Sequence, residues 1–388
     1  MAQIGSTSGT HCQFATAEPT ITVASNSMQK SANNHATSAT KKVAGLLGMM
    51  ALLALLVLAS VILGAKITTT AQVYEAMPLA WEMLQSHTDV ASAIAAGHGE
   101  ELTEIAGIIA TMRIPRTILA MLVGAALGLA GSVIQALTRN PLADPGMLGV
   151  SAGAALAVVS GLYLFGISSM MGSLWLAFAG AGITSLLVLG ISNSGLGKGD
   201  TLGLVLAGAA LSATLAAVTS GIVYIDPQAL DALRFWQAGS VTGRGFDVIM
   251  PVLPPILLGA VVALSLGPSL NLLSLGAETA QSLGANVARI SLLGFAVITV
   301  LAGAATAAAG PIGFVGLMVP HIVRVFTGPD YRWLLPYSAL GGATLLLLAD
   351  VAGRVILRPG EMQAGVIVAL IGAPAFIWLV RNRKLVAL

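Results

Sequence analysis

From Pro145 to Gly197 the chain reads PGMLGVSAGAALAVVSGLYLFGISSMMGSLWLAFAGAGITSLLVLGISNSGLG, without one Asp, Glu, Lys or Arg. A helix needs about 20 apolar residues to cross a hydrocarbon core of about 30 Å, so the stretch is long enough for two crossings. Gly166 to Gly172 is the turn between them. Uncharged runs continue on both sides: Val43 to Ala65, Thr117 to Leu137, Thr201 to Ile225, Val248 to Ala277, Ile290 to Pro320, Trp333 to Ala349 and Met362 to Val380. The Ile290 run exceeds one span, and Gly310-Pro311-Ile312-Gly313 divides it, the second helix continuing towards Thr327. The expectation is an all-α integral membrane protein, ten transmembrane helices in a compact bundle over residues 43–384.

The whole composition agrees with that reading. Of 388 residues 56% are hydrophobic and 9% charged, against about 25% charged in a soluble domain, which excludes a soluble globular protein. A net charge of +2 with 5% aromatic residues offers neither a basic surface nor stacking platforms, so nucleic acid is excluded as a partner. The single cysteine, Cys12, can form no intrachain disulfide. Residues 1–42 are polar without an apolar period and are expected to be a disordered cytoplasmic tail. They are too long for a signal n-region, so Val43 to Ala65 is read as a retained membrane helix, a cleaved signal being the other reading. Residues 66–112 collect Lys66, Glu75, Glu82, Asp89, Glu100, Glu101 and Glu104 around Trp81, Met83 and Leu84. They read as an exposed extracytoplasmic segment with an interfacial helix from Val73 to Gln85.

An even number of spans puts both termini on one side. With the tail inside, the outside holds Lys66, Arg113, Arg116, Arg234, Arg244, Arg354 and Arg358, a minority of the 18 Lys and Arg. The positive-inside rule therefore favours cytoplasmic termini in the cell membrane. Small residues four apart, as in Gly124-x3-Gly128, suit close helix packing. A weak internal echo links Leu129-Ala-Gly131 and Asn140-Pro141-Leu142 with Leu301-Ala-Gly303 and Gly310-Pro311-Ile312.

Membrane enzymes need nucleophiles, bases or metal ligands inside the spans, and of the histidines only His321 lies in the apolar bundle. Ion-driven carriers hold acids at mid-membrane, whereas here Asp350 alone lies near a span interior, close to its end. Gly197-Lys198 is followed by Gly199 instead of Ser or Thr, so no P-loop is present. If ATP drives transport, another chain binds it.

Longer motifs then sharpen the reading. Arg113-Ile-Pro-Arg116, Leu122-Val-Gly-Ala-Ala126, Gln135, Arg139-Asn-Pro-Leu-Ala-Asp-Pro145 and Leu148-Gly-Val-Ser-Ala-Gly153 are followed by Leu275-Gly-Ala-Glu-Thr-Ala-Gln-Ser-Leu-Gly284. Next come Gly310-Pro-Ile-Gly-Phe-Val-Gly-Leu-Met-Val-Pro-His321, Arg324, Leu348-Ala-Asp350, Arg354, and Gly372-Ala-Pro374 with Phe376-Ile-Trp378. Together they resemble the permease subunits of bacterial ABC importers for ferric siderophores, haem and cobalamin, the FecCD-type iron-chelate permeases with a type II importer fold. The chain departs from that pattern in its long tail, its enlarged 66–112 segment, and Glu361-Met-Gln-Ala-Gly365, where the family reads E-L-P-V-G.

The resemblance implies a transport subunit working beside a second permease copy or close relative. Its other partners would be two cytoplasmic ATP-binding subunits and an extracytoplasmic substrate-binding protein. No cofactor would be bound by this chain, ATP and Mg being used by the partner ATPase. Arg113, Arg116 and Arg354 match family arginines that dock on glutamates of the binding protein, a task suited to a bidentate guanidinium. Position alone would equally make them headgroup anchors. The cytoplasmic loop 271–289 would hold the coupling helix, with Gly276, Glu278, Thr279, Ala280, Leu283 and Gly284. Ala280 and Gly284 would permit close approach and Leu283 would be the apolar anchor, a plain connecting turn being the other reading. Asp200 and Thr201 match a cytoplasmic gate. His321 is expected to make a structural hydrogen bond. The expected cargo is a ferric siderophore, with haem or cobalamin as same-family alternatives and an ion-driven secondary transporter as the alternative from another class.

Overall fold

The computed structural model describes residues 21–86, 88, 90–194 and 201–381. The chain divides into a unit ending at Gly45 and a compact unit from Leu46 onwards. Among the described residues sixteen α-helices follow in order: α1 Ile21–Ile62, α2 Thr70–Ser86, α3 Val90–Ala95, α4 Glu100–Ile108, α5 Ile114–Thr138, α6 Val150–Phe165, α7 Met170–Ser194 and α8 Thr201–Ile225. The second half contains α9 Pro227–Gln237, α10 Phe246–Ser265, α11 Gly267–Ser274, α12 Ala277–Ser282, α13 Val287–Ala309, α14 Val315–Thr327, α15 Tyr331–Ile356 and α16 Ala364–Arg381.

Seven helical stretches are long and apolar enough to cross a membrane, and three shorter apolar helices, Val150–Phe165, Val315–Thr327 and Ala364–Ile377, complete the ten charge-poor segments of the sequence. The turn falls where glycine permits it, Gly166 taking a left-handed backbone (φ 65°) after α6. The break at Gly310 likewise has positive φ (75°) and leads through an extended stretch into α14. Thirteen residues make a helix of about 20 Å, short of a bilayer core. The non-helical backbone between α13 and α14 holds Gly310 and Ile312 buried and leaves Gly313 exposed.

α1 takes in part of the polar tail, from Ile21, and neither Pro nor Gly interrupts it before Gly45. The first 20 residues lie outside those described. The run from Val248 to Ala277 is not one helix, since α10 ends at Ser265 and α11 starts at Gly267-Pro268. Finally, the helix of the second crossing extends well beyond the uncharged run from Thr117. A continuous helical stretch runs from Glu100 to Thr138, with a single π-helical turn at Ile109–Arg113.

α5 is the hub. The 39-residue stretch Glu100–Thr138, which ends in α5, has 78% of its most apolar part buried, against 6% for the crossing part of α1 and 17% for that of α8, so α5 packs among helices while α1 and α8 turn most of their surface outwards. The seam between α5 and α15 is made of small residues on both sides. A methyl on Gly124 would overlap the Gly342 carbonyl, and one on Gly128 the Ser338 carbonyl. Without a hydrophobic force between helices in lipid, such backbone approach supplies the dispersion contact that holds them. Gly131 meets Gly316 of α14 in the same way. A separate apolar cluster forms where Val73, Ala76, Ala80 and Met83 of α2 pack on Ile105, Ala106 and Ile109.

Candidate functional site

The three arginines singled out in the sequence meet at one end of the bundle, and all are buried, with 4%, 6% and 2% of Arg113, Arg116 and Arg354 exposed. Arg113 stands at the end of the π turn and donates from Nη1 to the carbonyls of Val61 (2.8 Å) and Ile62 (2.9 Å). Those are orphan carbonyls of the last turn of α1, and a cation there also complements the helix dipole. One turn on, Arg116 donates from Nε to Asp350 Oδ1 at 2.8 Å and from Nη1 to Glu361 Oε2 at 2.7 Å. Its Nη2 lies 2.7 Å from Asp350 Oδ1. Arg354, four residues after Asp350 on α15, donates from Nη2 to Asp350 Oδ2 (2.7 Å) and to Ser60 Oγ (2.6 Å), and from Nη1 to the Ser60 carbonyl (2.9 Å). Asp350, fully buried, thus accepts from two guanidiniums, and the network ties α1, α5, α15 and the turn before α16 together.

The side of this cluster opens into a cavity of about 340 Å³ lined by Lys66, Arg113, Arg116, Thr242, Arg354 and Glu361. A neighbouring cavity of about 370 Å³ shares Thr242 and Glu361 and adds Ser168, Ser173, Trp236 and Arg244. Glu361 stands in the wall of both, its side chain 28% exposed. Arg244 touches the Met170 sulfur, and burial pushes its guanidinium below the ordinary arginine range while Asp247 acts in the opposite sense.

At the other end of α5 lies the 271–289 loop. α12 spans Ala277–Ser282 between Gly276 and Gly284, both at positive φ (106° and 84°). Glu278 and Thr279 are exposed, Glu278 in the first turn where it favours the helix dipole. Leu283 is 59% exposed, and Leu275 equally so. Ala280 does not share that surface: it is fully buried. The loop is held by a contact the sequence did not reveal. Asn271 donates to Asp330 Oδ1 at 2.6 Å and accepts from the Tyr331 N–H at 2.8 Å, fixing α11 to the start of α15.

Of the gate pair, Asp200 lies outside the described residues and Thr201 is the first residue of α8. His321 is 6% exposed and lines an apolar cavity of about 230 Å³ with Leu317, Ile322 and Phe376. The hydrogen bond expected of it is not formed with any described residue. Asp144, in the turn after α5, caps a short 3-10 helix by accepting from the Gly146 N–H at 2.8 Å. Burial pushes its carboxyl above the usual range, and that bond pulls the other way.

Gln135 carries a role that the motif alone did not explain. Pro320 has no N–H, so the Gly316 carbonyl one turn earlier loses its helical donor. The Gln135 side-chain amide lies 3.2 Å from that carbonyl and from that of Leu317, replacing the missing bond from α5. A glutamine inside an otherwise apolar span, with a proline in a facing span, is the sequence signal for such a repair.

Among the described residues, seven long and three shorter apolar helices mark a multi-pass membrane protein. The chain belongs to the FecCD transport family, whose model matches residues 52–382. It is 51% identical over 276 residues, 71% of this chain and 82% of the relative, to the ferric enterobactin transport system permease protein FepD of Escherichia coli (strain K12). It is 41% identical over 279 residues (70% and 83% of the two chains) to the hemin transport system permease protein HmuU of Yersinia pestis. Over 281 residues (72% and 75%) it is 41% identical to the cobalamin import system permease protein BtuC of Halobacterium salinarum. A solved ABC transporter of metal-chelate type, in an inward-facing conformation, superposes with a TM-score of 0.72 at 30% identity, covering 87% of this chain and 98% of that one.

Proposed function

We propose that this chain is the membrane subunit of an ATP-driven importer that carries a ferric siderophore across the cytoplasmic membrane. The observation that carries the cargo is the 51% identity to the enterobactin permease, well above the 41% shared with the haem and cobalamin permeases. Those two cargoes remain the same-family alternatives. The energy source is argued from the residues. Asp350, the acid deepest in a span, is held between Arg116 and Arg354, so it is unavailable to carry a proton or sodium ion. The chain itself lacks a phosphate-binding loop, which leaves a partner ATPase to use ATP and Mg. The positive-inside bias supports cytoplasmic termini, with the arginine cluster outside and α12 inside.

On this reading α12 is the coupling helix, presenting Glu278, Thr279 and Leu283 between Leu275 and Gly284 to two ATP-binding subunits, one for each permease copy. Leu283→Asp is expected to lower uptake at least about tenfold, because burying an unpaired carboxylate at a contact costs more than the about 1.4 kcal/mol that a tenfold change represents. Co-purification of the ATPase should fall with it while thermal stability stays within about 0.5 kcal/mol, as for an ordinary surface change. Full ATP-driven uptake by the variant would assign α12 to a plain turn.

Docking of the extracytoplasmic binding protein rests on the resemblance, and the geometry sets its terms. The guanidiniums are already occupied, so a partner carboxylate has to enter the arginine cavity and take the place of Glu361 on Arg116. Glu361→Gln, which weakens the resident bond, should tighten association of the binding protein severalfold at low salt. Unchanged or weaker affinity would confine the arginines to holding α1, α5 and α15 together.

A further inference from the structure

An apolar groove of about 720 Å³ runs between the end of α1 and α2, with Leu58, Val61 and Ile62 on one side and Tyr74, Met77 and Trp81 on the other. α2 carries two apolar faces. One, with Val73, Ala76, Ala80 and Met83, is buried against α4 and the π turn. The other, Tyr74, Met77, Pro78 and Trp81, repeats at i, i+3, i+4 and i+7 and is left uncovered, Tyr74 being 82% and Trp81 61% exposed. Glu75 and Glu82, seven residues apart, run beside this stripe and are exposed as well.

What covers the stripe follows from its neighbour. The crossing part of α1 is only 6% buried, and Leu55 and Leu58 on it are 64% and 60% exposed, so an uncovered apolar surface runs along the length that would cross the membrane. The groove continues that surface at the last turn of α1. Tyr and Trp concentrate at the depth where a span leaves the hydrocarbon, because their rings are apolar and their tips polar. The water side is marked by the exposed ion pair of Lys66 with Glu104, 2.6 Å apart.

We propose that the groove between α1 and α2 seats an acyl chain of a membrane phospholipid, and that α2 is an amphipathic anchor lying in the interface with Tyr74 and Trp81 among the headgroups. The enlarged segment thereby clamps the ends of α1 and α5 at a fixed depth. The assignment to the outer leaflet rests on the orientation proposed above; occupation by a lipid does not.

The test uses the full-length permease in nanodiscs of phosphatidylglycerol brominated either near the headgroup or near the chain end. The fluorescence of Trp81 is read as wild type minus Trp81→Phe. Quenching by the shallow bromines about twofold above the deep ones, with little quenching by acrylamide in water, is the expected result for a ring at the interface. Val61→Trp, which fills the groove, should reduce by one the phospholipids retained per chain in native mass spectrometry. Quenching by acrylamide without quenching by bromolipid would overturn the anchor, and an unchanged lipid count in Val61→Trp would overturn the groove. Efficient disulfide formation between two Tyr74→Cys copies in the same nanodisc, without bromolipid quenching, would put a second permease on this face and overturn both.

Discussion

Asp350→Ala should cost about 3–5 kcal/mol of stability, the penalty for removing one member of a buried ion pair and leaving its partners uncompensated. Asp350 is fully buried and accepts from both Arg116 and Arg354. Without it two guanidiniums share a buried site with Arg113 close by, and Glu361, partly exposed, reaches only one of them. The loss should appear as a much lower thermal midpoint in detergent. Replacing all three side chains by apolar ones, Asp350→Leu with Arg116→Met and Arg354→Met, should recover most of it, because a well-packed apolar cluster carries no desolvation penalty. A single variant within about 0.5 kcal/mol of wild type, the range of surface substitutions, would mean that water reaches Asp350 and that the network does not hold the helix ends.

The second large effect is expected at the crossing of α5 and α14. Gly131→Val places methyl groups where the Gly316 backbone stands, and backbone cannot rotate away as a side chain can. The cost should exceed the about 1–3 kcal/mol typical of overpacking a core, and the Gln135 contacts that replace the bond lost at Pro320 would part with it. Gly182→Ala on α7 is the control: a methyl there meets nothing within 4 Å, so it should be neutral or stabilise by up to about 1 kcal/mol through helix propensity. Monodisperse, thermally stable Gly131→Val protein would contradict the packing of this seam.

The crossings were legible because lipid allows few charges, so charge-free runs mark them almost one for one. The exception shows why. Arg113 and Arg116 made Thr117 look like the start of a span, yet the helix begins at Glu100, because these arginines find partners inside the protein. Those partners were hidden by distance along the chain: Asp350 is 234 residues from Arg116 and Glu361 is 245. Only Asp350 with Arg354, at i and i+4 on one helix, was readable from spacing. In the 271–289 loop Gly276 and Gly284 take positive φ and Leu283 is exposed, while the burial of Ala280 is not readable from residue type.

The central claim is that this chain moves its cargo with energy supplied by a separate ATPase. The most direct measurement is uptake of a radiolabelled ferric catecholate siderophore into proteoliposomes containing the purified permease, its binding protein outside, with or without the ATPase subunit and enclosed ATP. The account predicts uptake only when permease, ATPase, ATP and binding protein are all present, and no ATP hydrolysis by the permease alone. Accumulation driven by a proton or sodium gradient in vesicles holding the permease alone would contradict it.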